Sequence, residues 1–246
     1  MMKRILVVGG ANGIGLGIAM ELASRSHTEK VYIVDKLPLE QKYRKDNIEA
    51  FQFDLTKDDY AFFERFSDID TLMITAGFGK LSLFENVTEQ YIEDSFKVNT
   101  IAIVKLIKVF YSKLQGQQDF YCGVMGSIAG FMSSPFFAVY GASKAALKIF
   151  IESVNVELEK AGSQNRILNV SPGSIQGTSF YQKETDLAQT QELANQIILH
   201  LEQKDDLFIP KYDEVFKEVL ERYHRDYREE GRHSYDYKLR SGRIRE

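Results

Sequence analysis

A glycine-rich turn, Gly9-Gly-Ala-Asn-Gly13-Ile-Gly15, joins the apolar run Arg4-Ile-Leu-Val-Val8 to a helical pattern through Ile18, Leu22 and Ala23. A β-branched run that closes on glycines and opens a helix reads as a strand–turn–helix unit. Glycines there allow a tight turn and let the backbone approach a pyrophosphate. The helix N-terminus supplies unpaired N–H groups and a favourable dipole for such an anion. The spacing is G-x-x-x-G-x-G rather than G-x-G-x-x-G. A second run, Val31-Tyr-Ile-Val34, closes on Asp35. A carboxylate at that strand end can accept both ribose hydroxyls of an adenosine, and it repels a 2′-phosphate. The pair therefore favours NAD(H) over NADP(H), although Lys36 follows directly and works against that preference.

The same alternation continues down the chain. Strands are expected at 48–53, ending beside Asp54, and at Thr71–Thr75, stopping at Ala76-Gly77. Further strands are expected at Phe120–Met125, at Arg166–Val170 before Pro172-Gly173, and at Leu207–Ile209. Helical patterns lie between them, one capped at Thr56 with Asp59 three residues on, then 88–114, 140–160 and 186–203. Strands alternating with helices imply right-handed crossovers and a parallel sheet covered on both faces. The expected fold is α/β: one doubly wound Rossmann domain with a parallel sheet of about seven strands, whose ligands sit at the strands' carboxyl ends.

Composition narrows the rest. The chain has 246 residues, of which 44% are hydrophobic and 27% charged, enough for a substantial core without staples. A single cysteine, Cys122, excludes an internal disulfide framework and a cysteine-cluster zinc site, and no metal is expected. A net charge of −4 gives no basic field for nucleic acid. No apolar run approaches the roughly 18 residues of a membrane span. The apolar start, Met1–Val8, runs into glycines too soon for a signal peptide. A soluble cytoplasmic α/β protein is the expectation.

Tyr140-Gly-Ala-Ser-Lys144 opens a helix, and residues four apart share a helical face. An ammonium beside a phenol lowers its pKa from about 10 and makes it a usable acid or base. Ser127 follows the fifth strand and Asn99 lies in the long helix. Taken in chain order with the glycine turn, this set resembles the short-chain dehydrogenase/reductase family. The family's T-G-x-x-x-G-x-G matches Val8 to Gly15, with valine in place of threonine. Its catalytic Asn, Ser, Tyr and Lys match Asn99, Ser127, Tyr140 and Lys144, and Ser127 precedes Tyr140 by the usual interval. The likeness covers residues 3–178.

The resemblance implies that Tyr140 exchanges a proton with the substrate oxygen while a hydride passes to or from nicotinamide. It implies that Ser127 holds the substrate oxygen and that Lys144 binds the nicotinamide ribose and lowers the Tyr140 pKa. Asn99 would kink its helix and hold a water that relays protons. Cofactor contacts would come from Gly9, Asn12, Gly13, Ile14, Gly15, Asp35, Asp54, Leu55, Ala76, Gly77, Asn99, Tyr140, Lys144, Pro172, Gly173, Ile175 and Thr178. The chain departs from the pattern in three places. Ile74-Thr75-Ala76-Gly77 replaces Asn-Asn-Ala-Gly, Thr178 falls one place late behind Gly177, and the glycine-rich final strand is missing. The intact set of Asn99, Ser127, Tyr140 and Lys144 favours an enzyme over a dinucleotide-binding sensor or scaffold, and Asp35 disfavours an NADPH-dependent carbonyl or 3-oxoacyl reductase.

Phe78, Phe131, Phe136 and Phe137 cluster near the expected mouth, and Phe180 and Tyr181 begin a lid over residues 178–190. Phe78, Phe131, Phe137 and Phe180 are the expected pocket walls, suited to a hydrophobic alcohol or ketone. The helix with Lys105, Lys108 and Ser112, and the one with Lys148, Glu152, Asn155 and Glu159, each show only a narrow polar stripe. Both helices are therefore expected to pack against a second copy, giving a homodimer or homotetramer. Residues 1–211 form the expected domain and 212–246 a charged extension. In that extension 213–230 reads as a helix with Val215, Val219 and Tyr223 on one face, followed by a basic end. A solvated tail is its ordinary reading; an anionic substrate group or acidic partner is the alternative.

Overall fold

The computed structural model describes residues 1–175, 185–241 and 244. Seven parallel strands form one sheet: β1 (Arg4–Val8), β2 (Lys30–Asp35), β3 (Ile48–Gln52), β4 (Thr71–Ile74), β5 (Tyr121–Met125), β6 (Ile167–Val170) and β7 (Leu207–Phe208). Their order is β3-β2-β1-β4-β5-β6-β7. Ile5 pairs with Val31 on one side and Thr71 on the other; Val8 pairs with Val34 and Ile74. The chain runs outward from β1 to β3, then returns to the far side of β1 as β4. That reversal leaves a crevice beyond the carboxyl ends of β1 and β4, where doubly wound folds bind ligands.

Both faces of each central strand are buried, as continuous apolar runs require. Leu6 and Val8 point into a core with Leu72, Ile74, Leu106 and Ile151. Ile5 and Val7 point the other way, against Leu16, Leu22, Met73 and Ile197. The second layer includes α1 (Gly13–Ser24) and α6 (Leu187–Gln203). The first includes a long helical segment and α5 (Ala138–Lys160).

Several expected elements differ in detail. The helix expected from Thr56 does not start there, because Thr56 gives both its N–H and its hydroxyl to Asp54. Asp59 caps a 3₁₀ segment instead, Tyr60–Phe66, whose rings Tyr60, Phe62, Phe63 and Phe66 pack with Phe51 and Phe53. The 88–114 helix is capped by Thr88 and divided into α2 (Glu89–Phe96), a π turn (Lys97–Ile101), α3 (Ala102–Val109) and α4 (Tyr111–Gln115). Asn155 does not belong to a solvent stripe. It is buried, accepting the Ile167 N–H and donating to the Ile167 carbonyl, and so ties α5 to β6.

The extension differs most. After a π turn (Tyr212–Phe216) come α7 (Lys217–Arg225) and α8 (Tyr227–Arg240). Asp226 takes up an extended conformation, caps α8 and divides the single helix expected over 213–230. The solvated-tail reading fails for these residues: Leu220 packs with Ile128 and Ile209, and Phe216 joins that cluster. The docking face is Phe216 and Leu220, adjacent to the Val215, Val219 and Tyr223 face inferred from spacing. Glu230 and Lys238 are buried as well.

Candidate active site

The glycine turn is fixed by close approaches. Gly9 has φ +88°, and an added Cβ would overlap the backbone of Ala76. Gly13 has φ +55°. A Cβ on Gly15 would strike the Gly9 carbonyl and the Thr75 hydroxyl. Thr75 donates that hydroxyl to Gly9 O at 2.8 Å, so the turn is braced from the residue just past β4. No motif in the sequence marks Thr75 for this part; it stands at the second asparagine of Asn-Asn-Ala-Gly.

Asn12 is the N-cap of α1 but makes no side-chain cap bond, and Ile14 packs on the neighbouring core. The Gly13 N–H, at the start of the helix, donates to Thr185 Oγ1 at 2.8 Å. Thr185 has no signal in the sequence; it simply precedes the Asp186 cap of α6. Asp35 accepts the Ala11 N–H at 3.0 Å and the Leu37 N–H at 2.9 Å, which fixes its carboxylate beside the glycine turn. Asp54 lies on the same edge, paired with Lys36 at 3.4 Å. The Thr56 hydrogen bonds, then the Lys36 charge, lower its pKa. Leu55 packs against the core below.

On the other side of the crevice, Asn99 sits fully buried inside the π turn. A π turn is a common local distortion at functional sites. The Asn99 amide donates to Phe78 O at 2.9 Å and to Ser95 and Ser143 Oγ at 3.2 Å, while its Oδ1 accepts the Phe78 N–H at 3.0 Å. Gly77 faces this group. An added Cβ would lie 3.1 Å from Asn99 Oδ1 and 3.3 Å from Lys144 Nζ. Asn99, Gly77 and Lys144 thus converge from three segments.

Ser127 caps the short turn after β5, accepting the Ala129 N–H, and hydrogen-bonds the Tyr140 phenol. Tyr140 and Lys144 share a face of α5, with Lys144 Nζ 5.9 Å from the Tyr140 ring centre. Lys144 donates to the Met125 carbonyl at 2.7 Å. The expected depression of the Tyr140 pKa by Lys144 is not found in this structure. Burial pushes Tyr140 up to about 12, against a smaller lowering by Ser127. Burial also pulls Lys144 down to about 7, so its charge is costly where it stands.

Of the expected pocket residues, Phe137 lies 5.2 Å from the Tyr140 ring and Phe78 packs edge-on to Tyr91. Phe131 packs with Ile128, Ile209 and Leu220 in the cluster that joins the serine turn to the tail. Phe136 is buried under Tyr235. Phe216 closes on Gly173, where an added Cβ would come within 2.7 Å of its ring. Pro172 O accepts the Ile128 N–H, and Ile175 packs on the core. Thr178, Phe180 and Tyr181, with the first part of the expected lid, lie outside the described residues.

The family model for short chain dehydrogenases matches residues 3–189, and the chain belongs to that family. It is 28% identical over 233 residues to 17-beta-hydroxysteroid dehydrogenase type 1 of Homo sapiens, covering 88% of this chain and 69% of the human one. Among eight curated relatives of similar sequence the chain spans from 56% to 73% of their length. A short-chain dehydrogenase/reductase of Burkholderia phymatum solved with NAD superposes with TM-score 0.77 at 16% identity, covering 92% of this chain and 94% of that one. One from Sphingobium yanoikuyae solved with NADPH gives 0.72 at 22%, covering 92% and 96%. These likenesses establish the fold. No helix among the described residues is long and apolar enough to cross a membrane.

Proposed function

We propose that this chain interconverts a bulky, apolar secondary alcohol and its ketone, using a nicotinamide dinucleotide with NAD(H) preferred. The observation that carries the reading is the convergence of Ser127, Tyr140 and Lys144 beside the glycine turn and Asp35. The residues present fit a dinucleotide. The glycine turn leaves no room for side chains where Gly9 meets Ala76, a helix begins at Gly13, and Asp35 is locked in place by two backbone N–H groups. In this reading Gly9, Gly13 and Gly15 bind the pyrophosphate, Asp35 the adenosine ribose, and Tyr140 and Lys144 the nicotinamide ribose. Asp54 and Leu55 would flank the adenine; Ala76, Gly77, Pro172, Gly173 and Ile175 would border the rest.

A nicotinamide dinucleotide supplies a hydride to the ketone carbon and takes it back from the alcohol. The chain's own part is the proton. Tyr140, held protonated by burial, is ready to donate its phenolic hydrogen to the carbonyl oxygen as that oxygen gains charge. Ser127 stabilises the same oxygen by hydrogen bonding. In the oxidising direction Tyr140 must act as phenolate. That demands a protonated Lys144, which an anion bound nearby favours. Asn99 holds the Phe78 backbone through both its N–H and its carbonyl and reaches α5 through Ser143, the residue before Lys144.

The human relative's name places a hydroxysteroid in that enzyme. The ring of Phe137, 5.2 Å from that of Tyr140, supports a substrate of similar apolar character here. Ile101, Ile149 and Val156 are 47%, 58% and 57% exposed on the π turn and α5, which supports a homodimer or homotetramer through these helices. A reducing cytoplasm suits the free, buried Cys122. The test is titration with NADH and NADPH by nicotinamide fluorescence, in the wild type and Asp35→Ala. A screen of apolar ketones follows, with Tyr140→Phe as blank. Tight NADH binding, with NADPH gaining on the variant, is expected. Binding of neither overturns the proposal, and binding without any turnover returns the sensor reading.

A further inference from the structure

Lys238 is a charged residue on a helix beyond the family-matched region, yet it is only 8% exposed. Its ammonium donates to Ser134 Oγ and to the Pro135 carbonyl, both at 2.7 Å, and lies 5.5 Å from the Phe137 ring centre. A buried ammonium persists only where hydrogen bonds replace its water, and these two bonds fix it to one short segment. Tyr235, about one turn earlier on α8, packs on Phe136 with ring centres 4.5 Å apart and planes tilted by 31°. Phe136 holds φ +65°, a region that a bulky L residue enters only when its surroundings impose it.

This segment leads straight to the reacting group. The Phe136 carbonyl accepts the Ser82 N–H at 2.9 Å. Phe137 is the N-cap of α5, and its carbonyl accepts the Gly141 N–H at 2.7 Å. Its ring then lies 5.2 Å from that of Tyr140. The tail itself is anchored on the same side. Arg222 on α7 bonds Glu230 on α8 at 2.7 Å, with Glu230 only 4% exposed. Phe216 and Leu220 pack against Gly173 and Ile128.

We propose that Lys238 is a positioning residue: from α8 it holds residues 134–137 so that Tyr140 stays aligned with Ser127. The C-terminal helices are then part of the catalytic unit. The alignment is a property of the chain alone; only its catalytic meaning rests on the function proposed above.

The test uses the full chain with 3-fluorotyrosine placed at position 140 and read by ¹⁹F NMR, without cofactor or substrate. Ser127→Ala marks where the resonance lies once the serine bond is lost. Lys238→Met is expected to broaden the resonance and move it towards that position, and Lys238→Arg, which still donates to Pro135 O, to restore it. If Lys238→Met fails to fold, Tyr235→Leu, which removes the ring contact with Phe136 without touching a charge, is expected to shift the same signal. A folded Lys238→Met, or a folded Tyr235→Leu in its stead, with an unchanged resonance overturns the proposal, whatever its melting temperature. For any ketone the wild type reduces, kcat of Lys238→Met should fall by on the order of tenfold or more at unchanged dinucleotide affinity. Because the ¹⁹F signal is read without ligands, failure of the enzyme reading leaves this test intact.

Discussion

Replacing Lys144 by methionine should make the protein more stable at neutral pH. Lys144 is buried on α5, and burial lowers its pKa from 10.5 to about 7. A tenfold change in proton affinity is worth about 1.4 kcal/mol, so at pH 7 and below the native state bears a cost of about 5 kcal/mol for this charge. Methionine fills a similar volume without a charge. It leaves the Met125 carbonyl without its 2.7 Å donor, a loss of about 1–3 kcal/mol. The variant should therefore be more stable than wild type by about 2–4 kcal/mol at pH 7. Between pH 7 and 10.5 the unfolded chain binds the proton that the native chain has released, so wild-type stability climbs with pH. The gap should close over that window and reverse near its upper end, where only the lost carbonyl bond remains. Tyr140, raised to about 12, acts in the opposite sense but only above pH 10, where the native state holds the extra proton. Urea unfolding of both proteins at about pH 7, 8.5 and 10 measures the difference directly, because every other titrating group is shared. Parallel stability curves, or a methionine variant that is weaker at pH 7, would refute the reasoning.

Gly9→Ala should not give a native, dinucleotide-binding protein, since the new Cβ would overlap the Ala76 backbone at φ +88°; a normal melting curve with retained NADH binding would contradict this. Asn155→Ala strips both the N–H and the carbonyl of Ile167 of their partner and should cost about 2–4 kcal/mol in urea unfolding without changing nicotinamide affinity. Ile149→Glu with Val156→Glu should shift the molecule towards a 28.2 kDa monomer in light scattering, and an unchanged oligomer would place the interface elsewhere.

The sheet and the two halves of the site were legible because each rests on a local signal. The β1 turn needs glycine at fixed places, and α5 sets Tyr140 and Lys144 on one face whatever surrounds it. What the sequence hid depends on distant partners. The ammonium was expected to lower the pKa of the phenol, but burial raises Tyr140 and lowers Lys144, and no spacing reveals burial. Asn155 falls on a polar stripe by periodicity and becomes a core tie only because β6 runs beneath it. Thr75 and Thr185 are small hydroxyl residues, and their value lies in meeting Gly9 O and Gly13 N–H from just past β4 and from the start of α6. In the tail, Phe216 and Leu220 escape the helical spacing because Phe216 closes a π turn that leads into α7.

The polar groups assigned to ligand binding already have partners within the chain. The Gly13 N–H is bonded to Thr185, Lys144 to the Met125 carbonyl, and Asp35 to the Ala11 and Leu37 N–H groups. Buried polar groups must be satisfied, and these internal bonds hold each group in place. They differ in what a ligand has to do. Asp35 keeps its backbone bonds and has further lone pairs for a ribose, so it can bind by addition. Lys144 carries three N–H donors when protonated, so it too can add a partner while keeping Met125. A single backbone N–H such as that of Gly13 has no spare capacity, and a phosphate there must displace or share with Thr185. Thr185 directly precedes the Asp186 cap of α6, so a ligand that takes the Gly13 N–H would release the start of that helix from the glycine turn.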